Sequence, residues 1–106
     1  MHRGGGVVAR SERATREAAE ALAVQAFTFL ADDSDRLGRF LALTGVGPER
    51  IRAAAAEPGF LAGVLDHVVA DEALLLTFAG HAGIDPPVVA RARAALAGPA
   101  WEREMP

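Results

Sequence analysis

Residues 60–70 read FLAGVLDHVVA, and this stretch decides the fold class. Its large apolar residues recur at the spacing that places them on one side of an α-helix. That stripe consists of Phe60, Leu61, Val64, Leu65, Val68 and Val69. The other side carries smaller or polar residues, among them Asp66 and His67. The pattern predicts an amphipathic helix whose apolar side faces a core.

The segments before and after this helix show the same spacing, and residues typical of helix ends separate them. The expected helices are helix one from Ser11 to Leu30, helix two up to Gly45, helix three from Pro48 to Pro58, helix five from Asp71 to Gly83, and helix six from Asp85 to Gly98. Neither proline nor glycine separates helices four and five, so one continuous helix over residues 59–82 remains an alternative.

Composition agrees with a helical protein. The chain has 106 residues, of which 24 are alanine, the best helix former and a poor strand former. No stretch alternates apolar and polar residues as a half-buried strand does. The sequence therefore predicts an all-α fold, a compact bundle of five to six short helices with helices four and five at its centre. Phe40, Val64 and Phe78 are expected in the core.

The organisation expected along the chain is simple. Residues 1–10 contain three consecutive glycines and are expected to form a flexible arm. Residues 11–98 form a single helical domain, and residues 99–106 form a tail. No window has the length and apolarity of a membrane span, and the first residues do not resemble a secretory signal. A cytoplasmic protein is expected.

Charge and cysteine content exclude several classes of function. The net charge is −3, with +1 on residues 1–52 and −4 on residues 53–106. An acidic chain has no general attraction for nucleic acid or an anionic membrane. There is no cysteine, so disulfides and thiolate metal sites are excluded.

Four short segments together resemble a known family. They are QAFTFLA (residues 25–31), RLGRFLALTG (36–45), FLAGVLD (60–66) and ADE (70–72). The chain resembles, over roughly residues 15–97, an uncharacterised alphaproteobacterial family, domain of unknown function number 3572. The resemblance implies a short helical cytoplasmic protein without a known activity, and it carries no site residue over to this chain.

Catalytic, cofactor and metal sites have little support in the sequence. His67 lies near Asp66, Asp71 and Glu72, but one histidine with carboxylates supplies too few ligands for zinc. The aspartates at 32, 33 and 35 lack the glycine and distal glutamate of a calcium loop, and helix capping explains them better. No catalytic, cofactor-binding or metal-binding residue is predicted, and an enzyme is not expected.

The most specific local motif lies within residues 36–56 and resembles a DNA-binding helix-turn-helix. Gly45 would form its turn, and Ile51 follows at the spacing of the motif's buried aliphatic residue. Arg50 and Arg52 would then reach bases or phosphates. Leu41 stands where the motif has a small residue, so an ordinary helical corner remains the competing interpretation. DNA binding is therefore the alternative function.

An excess of large apolar residues favours a different leading function. Leu74, Leu75 and Leu76 span too wide an arc of one helix for a single core face to bury easily, and Phe27 and Leu43 stand at the edges of their stripes. Apolar surface of this kind marks interfaces. The sequence predicts a non-enzymatic protein–protein interaction module, with a homodimer as one arrangement. The expected partner interface consists of Phe27, Leu43, Leu74 and Leu76.

Overall fold

The computed structural model describes residues 3–57 and 59–97, with side chains from Thr15 onward. Within these residues there are six helices and no strand, so the all-α prediction is confirmed. The helices are α1 (Arg3–Ala31), α2 (Ser34–Thr44), α3 (Ile51–Ala55), α4 (Phe60–Ala70), α5 (Glu72–Ala82) and α6 (Pro86–Ala97). A short 3-10 turn over Pro48–Arg50 precedes α3.

The helix ends follow the residue types that predicted them. Asp33 has an extended backbone, and its Oδ1 accepts hydrogen bonds from the amides of Asp35 (2.9 Å) and Arg36 (3.2 Å) at the start of α2. Gly45 ends α2 and Gly83 ends α5, each in the left-handed conformation, with φ of 76° and 71°. Glycine adopts this conformation without the steric cost that a Cβ imposes.

Asp71 separates α4 from α5, so the alternative of one continuous helix is wrong. Its backbone is extended (φ −117°, ψ 106°), and its carboxylate accepts a hydrogen bond from the amide of Leu74 at 3.1 Å. An aspartate in this position satisfies an amide that the first turn of a helix leaves unpaired. The hydrogen bond from the Leu74 amide to Asp71 therefore favours the start of a new helix over continuation of α4.

The start of α1 differs from the prediction. The helix begins at Arg3 rather than at Ser11 and includes the glycines at 4–6. Extending an existing helix fixes one residue for each added hydrogen bond, and residues 7–14 contain good helix formers and no proline. The division into arm, domain and tail stays a prediction. The expected tail lies outside the described residues.

The core lies between α1, α4 and α6. α1 presents the small residues Ala19, Ala23 and Ala26, which let the neighbouring helices approach closely. The largest fully buried side chains of the described residues are Phe40, Phe78, Leu30, Leu65, Val64, Val68 and Val89. The three predicted core residues are therefore confirmed, and α4 is central as expected. α5 lies at the edge of the bundle, contrary to the expectation for helix five, because only one of its sides faces α1, α4 and α6.

Candidate interaction surfaces

Three large apolar side chains among those described are exposed. Val24 and Leu76 each have 52% of their surface exposed, and Leu43 has 68%. Single exposed aliphatic residues are common in folded proteins, so their surroundings decide whether they mark a site. Leu43 and Leu76 belong to two separate surfaces.

The first surface is the outer side of α5, called here the α5 outer face. It consists of Ala73, Leu76, Thr77 and Gly80, which are all exposed and lie on one side of the helix, because Leu76 and Thr77 each stand three or four residues from both Ala73 and Gly80. None of the four is charged, and the Thr77 hydroxyl donates a hydrogen bond to the Ala73 carbonyl at 2.8 Å. The opposite side of α5 is buried in the core, so the helix is largely apolar on both sides. A helix with apolar residues on all sides is usually covered on all sides.

The second surface is a hollow of about 460 Å³ at the end of α2 and the corner between α4 and α5. It is called here the Leu43 hollow, and its lining consists of Arg39, Leu43, His67, Ala70, Asp71 and Glu72. An exposed leucine thus lies among one basic and two acidic side chains. An apolar centre with a charged rim is the usual anatomy of a protein–protein interface.

His67 forms part of the wall of the Leu43 hollow. Its ring stands edge-on to Phe40, with the ring centroids 5.1 Å apart. Burial lowers the pKa of His67 below its ordinary value of 6.5; the Asp71 carboxylate opposes this shift and the Arg39 guanidinium adds to it. The His67 ring therefore packs against the buried Phe40 and also lines the hollow.

The acidic neighbours of His67 do not gather around it as metal ligands would. Asp66 points to the other side of α4, where its Oδ1 accepts a hydrogen bond from Arg93 Nε of α6. Asp71 caps α5. Among the described residues, no group of three or more histidine, aspartate or glutamate side chains is placed to hold a metal ion.

A groove of about 410 Å³ runs between α1 and α5. Val24, Asp32 and His81 are among its lining residues, and the His81 ring packs against Phe29 with a centroid distance of 5.1 Å. Val24 was not predicted as a surface residue. The sequence feature that could have indicated its exposure is its position next to Ala23, just off the buried stripe of α1.

The four predicted interface residues differ in their exposure to solvent. Leu43 and Leu76 are exposed, whereas Phe27 and Leu74 are half-buried against the core. The Phe27 ring packs edge-to-face on Phe60 (5.3 Å between centroids) and Phe40 (6.2 Å). Phe27 and Leu74 therefore offer less open surface than Leu43 and Leu76, and their place in a partner interface stays a prediction. Phe27 stands off the main stripe of α1, but aromatic rings from α2 and α4 cover that side of the helix.

The segment with the helix-turn-helix resemblance has the predicted turn at Gly45. Arg50 and Arg52 are both exposed, and Ile51 is half-buried. The second helical segment consists of the 3-10 turn Pro48–Arg50 and the five residues of α3, which follow it directly. The segment makes only about two turns, which is short for a helix that would have to lie in a DNA groove.

No single helix among the described residues is both long and apolar enough to cross a membrane. α5 and α6 reach the required length and composition only when taken together, and they meet at a bend of 103°.

The model of a family described as Protein of unknown function (DUF3572) matches residues 16–99. No curated protein and no solved structure matches the chain. The matched region includes both candidate surfaces.

Proposed function

The chain belongs to the DUF3572 family of proteins of unknown function, and from that premise we propose that it is a non-enzymatic module that binds another protein through exposed apolar side chains. The observation that carries this proposal is the 68% exposure of Leu43 in a hollow that it shares with charged side chains. Two further exposed aliphatic residues, Val24 and Leu76, enlarge the apolar surface of the domain.

The energy available from such a surface is consistent with a binding role. Fully burying a leucine stabilises by roughly 1.5–3 kcal/mol, so covering the exposed part of Leu43 would contribute about 1–2 kcal/mol. The rim of Arg39, Asp71 and Glu72 would give orientation and reject partners with the wrong charges. This combination suits a protein partner that presents an apolar side chain between charges.

The positions of the histidines also favour binding over catalysis. His67 and His81 each pack against a phenylalanine ring. A general acid or base must reach the proton that it transfers, and the half-buried His67 is less accessible for this task than an exposed histidine. The contact of His67 with Phe40 supports the non-enzymatic part of the proposal.

A photo-crosslinking experiment tests the proposal directly. A photo-reactive amino acid replaces Leu43 in one variant and Ala94, an exposed residue of α6, in the control. Both are expressed in cells of the source organism and irradiated. We expect a defined protein adduct from position 43 that an additional Leu76→Ala change does not remove, and none from position 94. Equal adducts, or none from either position, would contradict the proposal.

DNA binding through Arg50 and Arg52 is the second candidate function. It is favoured by the left-handed turn at Gly45 and by the exposure of both arginines. Fluorescence anisotropy of a labelled random-sequence DNA duplex, measured at low and high salt, separates the two candidates. Salt-dependent binding that disappears in the Arg50→Ala/Arg52→Ala double variant would establish the second candidate. We expect no such binding.

A further inference from the structure

We propose that a hollow at the end of α6 is the docking site for the side chain of Trp101, which follows α6 in the same chain. The hollow has a volume of about 230 Å³ and lies between α1, α3, α4 and α6. It is called here the α6-end hollow, and the lining residues that carry the argument are Arg16, Glu20, Glu57, Leu61, Ala62 and Leu96. It shares none of its described lining residues with the Leu43 hollow, so the inference goes beyond the proposed function.

The position of Trp101 along the chain keeps it close to this hollow. Leu96 lines the hollow and belongs to the last turn of α6, and the described residues end at Ala97. Trp101 lies outside the described residues, four positions after Ala97. Four residues span at most about 14 Å, so the indole stays within reach of the hollow. Gly98 and Pro99, which come between, are residue types that commonly follow the end of a helix, where the chain changes direction.

The floor of the α6-end hollow is apolar. Leu61, Ala62 and Leu96 are half-buried, and the two leucines pack against the core while they also line the hollow. Covering their remaining surface with an apolar group is favourable, because it removes that surface from water. A tryptophan side chain buries roughly 150–250 Å² when it is covered. Trp101 is the chain's only tryptophan and the first large apolar residue after Leu96.

The rim of the hollow carries polar partners for the other parts of an indole. Arg16 of α1 can place its guanidinium over the ring, and tryptophan gives the strongest attraction of this kind. Glu20 and Glu57 offer carboxylate oxygens to the indole N–H, which can only donate a hydrogen bond. All three side chains are exposed, and none of them forms an ion pair with another described residue. An aliphatic occupant would use the floor alone, whereas an indole uses the floor and the rim.

Tryptophan fluorescence tests whether Trp101 is covered, because the chain has one tryptophan and no tyrosine. We expect the folded wild-type chain to emit at a shorter wavelength than the urea-unfolded chain. Ala62→Glu places a charge on the floor of the hollow and should move the emission of the folded chain toward that of the unfolded chain. The matched control Ala94→Glu, at an exposed position of α6 outside the hollow, should leave the emission unchanged.

Circular dichroism of both variants checks that they keep the helical content of the wild type. A folded wild-type chain that emits at the wavelength of the unfolded chain would overturn the proposal. Equal shifts in the two folded variants would also overturn it.

A contact measurement tests the place of docking and leaves the floor of the hollow unaltered. Bimane, a fluorophore that tryptophan quenches on contact, is attached to Ala55→Cys at the exposed edge of the hollow, since the natural chain contains no cysteine. We expect the bimane to become brighter when Trp101→Phe is added. Bimane on the control Ala73→Cys of α5 should not respond to Trp101→Phe. An absent response at position 55, or an equal response at the two positions, would overturn the proposal.

Dilution separates docking within one chain from docking of Trp101 into a second copy. We expect the quenching at position 55 to stay the same over about a 100-fold dilution, because an intramolecular contact does not depend on protein concentration. Quenching that disappears on dilution would overturn the proposal and indicate a dimer with exchanged Trp101 side chains. Neither experiment involves position 43, so failure of this inference would leave the proposed function standing.

Discussion

α4 and α5 have the same length of 11 residues, follow each other across Asp71, and are both rich in aliphatic residues, with leucine and valine in α4 and leucine and alanine in α5. They are nevertheless placed differently. α4 lies between α1 and α6, and its Val64, Leu65 and Val68 are fully buried. α5 meets the bundle with one side, so that Phe78 is buried while Leu76 stays half exposed.

The difference teaches that apolar content does not determine which residues a helix buries. What distinguishes the two helices is the position of charge. α4 carries Asp66 on its exposed side, where it pairs with Arg93 of α6. α5 carries charge or imidazole only at its ends, at Glu72 and His81, and none on its outer face. The outer face of α5 is weakly polar surface that the described helices leave uncovered, and the proposed function rests on the Leu43 hollow.

The largest effect is expected when the two sides of α5 are compared. Phe78→Ala should lower the free energy of unfolding by roughly 3–5 kcal/mol, because it leaves a cavity in the core. Leu76→Ala should change it by less than about 0.5 kcal/mol, because the side chain is half exposed. Urea unfolding at low micromolar protein measures both. Equal losses would show that α5 is covered on both sides.

Alanine substitutions of Gly80 inside α5 and of Gly83 directly after it should change stability in opposite directions. Gly83→Ala forces a Cβ into a left-handed conformation (φ 71°) and should cost about 1–2 kcal/mol. Gly80→Ala meets open space and should stabilise the monomer by roughly 0.5–1 kcal/mol. Thermal unfolding of dilute protein compares the two changes in Tm. A destabilising Gly80→Ala would mean that a contact within the chain requires this glycine.

The corner between α4 and α5 should depend on the Asp71 cap. Asp71→Ala removes the acceptor for the Leu74 amide and should cost about 1 kcal/mol. Asp71→Asn is the matched control, because asparagine caps helices about as well, and its cost should be a few tenths of a kcal/mol. Urea unfolding of the two variants decides the point. An Asp71→Ala variant as stable as the wild type would show that the cap contributes nothing here.

The smallest effect concerns His67 in α4. Because burial lowers the pKa of His67 below 6.5, the folded chain takes up this proton less readily than the unfolded chain. Stability is therefore fully present above pH 6.5 and declines as the pH falls from there through the pKa of the folded state. His67→Gln cannot titrate, so its stability should decline less between pH 7.5 and 5.5 than that of the wild type.

Urea unfolding of wild type and His67→Gln at several pH values measures this difference. The carboxylates titrate in both proteins, so only the difference between the two slopes reports on His67. Identical slopes, or a steeper decline in the variant, would contradict the stated direction of the pKa shift.

Local features of the fold could be predicted from single residues. Asp33 and Asp71 cap helices, and Gly45 and Gly83 end them, because each acts on backbone groups within a few residues of itself. The start of α1 could not be located in this way. Ser11 is a good cap, but a cap residue can also lie inside a helix when the residues before it are able to extend the helix.

The candidate surfaces were predicted less completely, and Phe27 and Leu43 explain why. Both stand at the edge of an apolar stripe, and the sequence treats them alike. Phe27 finds the rings of Phe40 and Phe60 on neighbouring helices, whereas Leu43 faces an open hollow with 68% of its surface exposed. Nothing within either residue's own helix distinguishes the two outcomes.

The sequence by itself determined the helical class, the side of α4 that faces the core, and the ends of the helices other than the start of α1. These features follow from the spacing and chemistry of residues close together along the chain. Only the tertiary structure decided that α5 lies at the edge and that Leu43 and Leu76 remain exposed. Burial depends on which distant helices cover a side chain, and the spacing within one helix carries no information about where its neighbours lie.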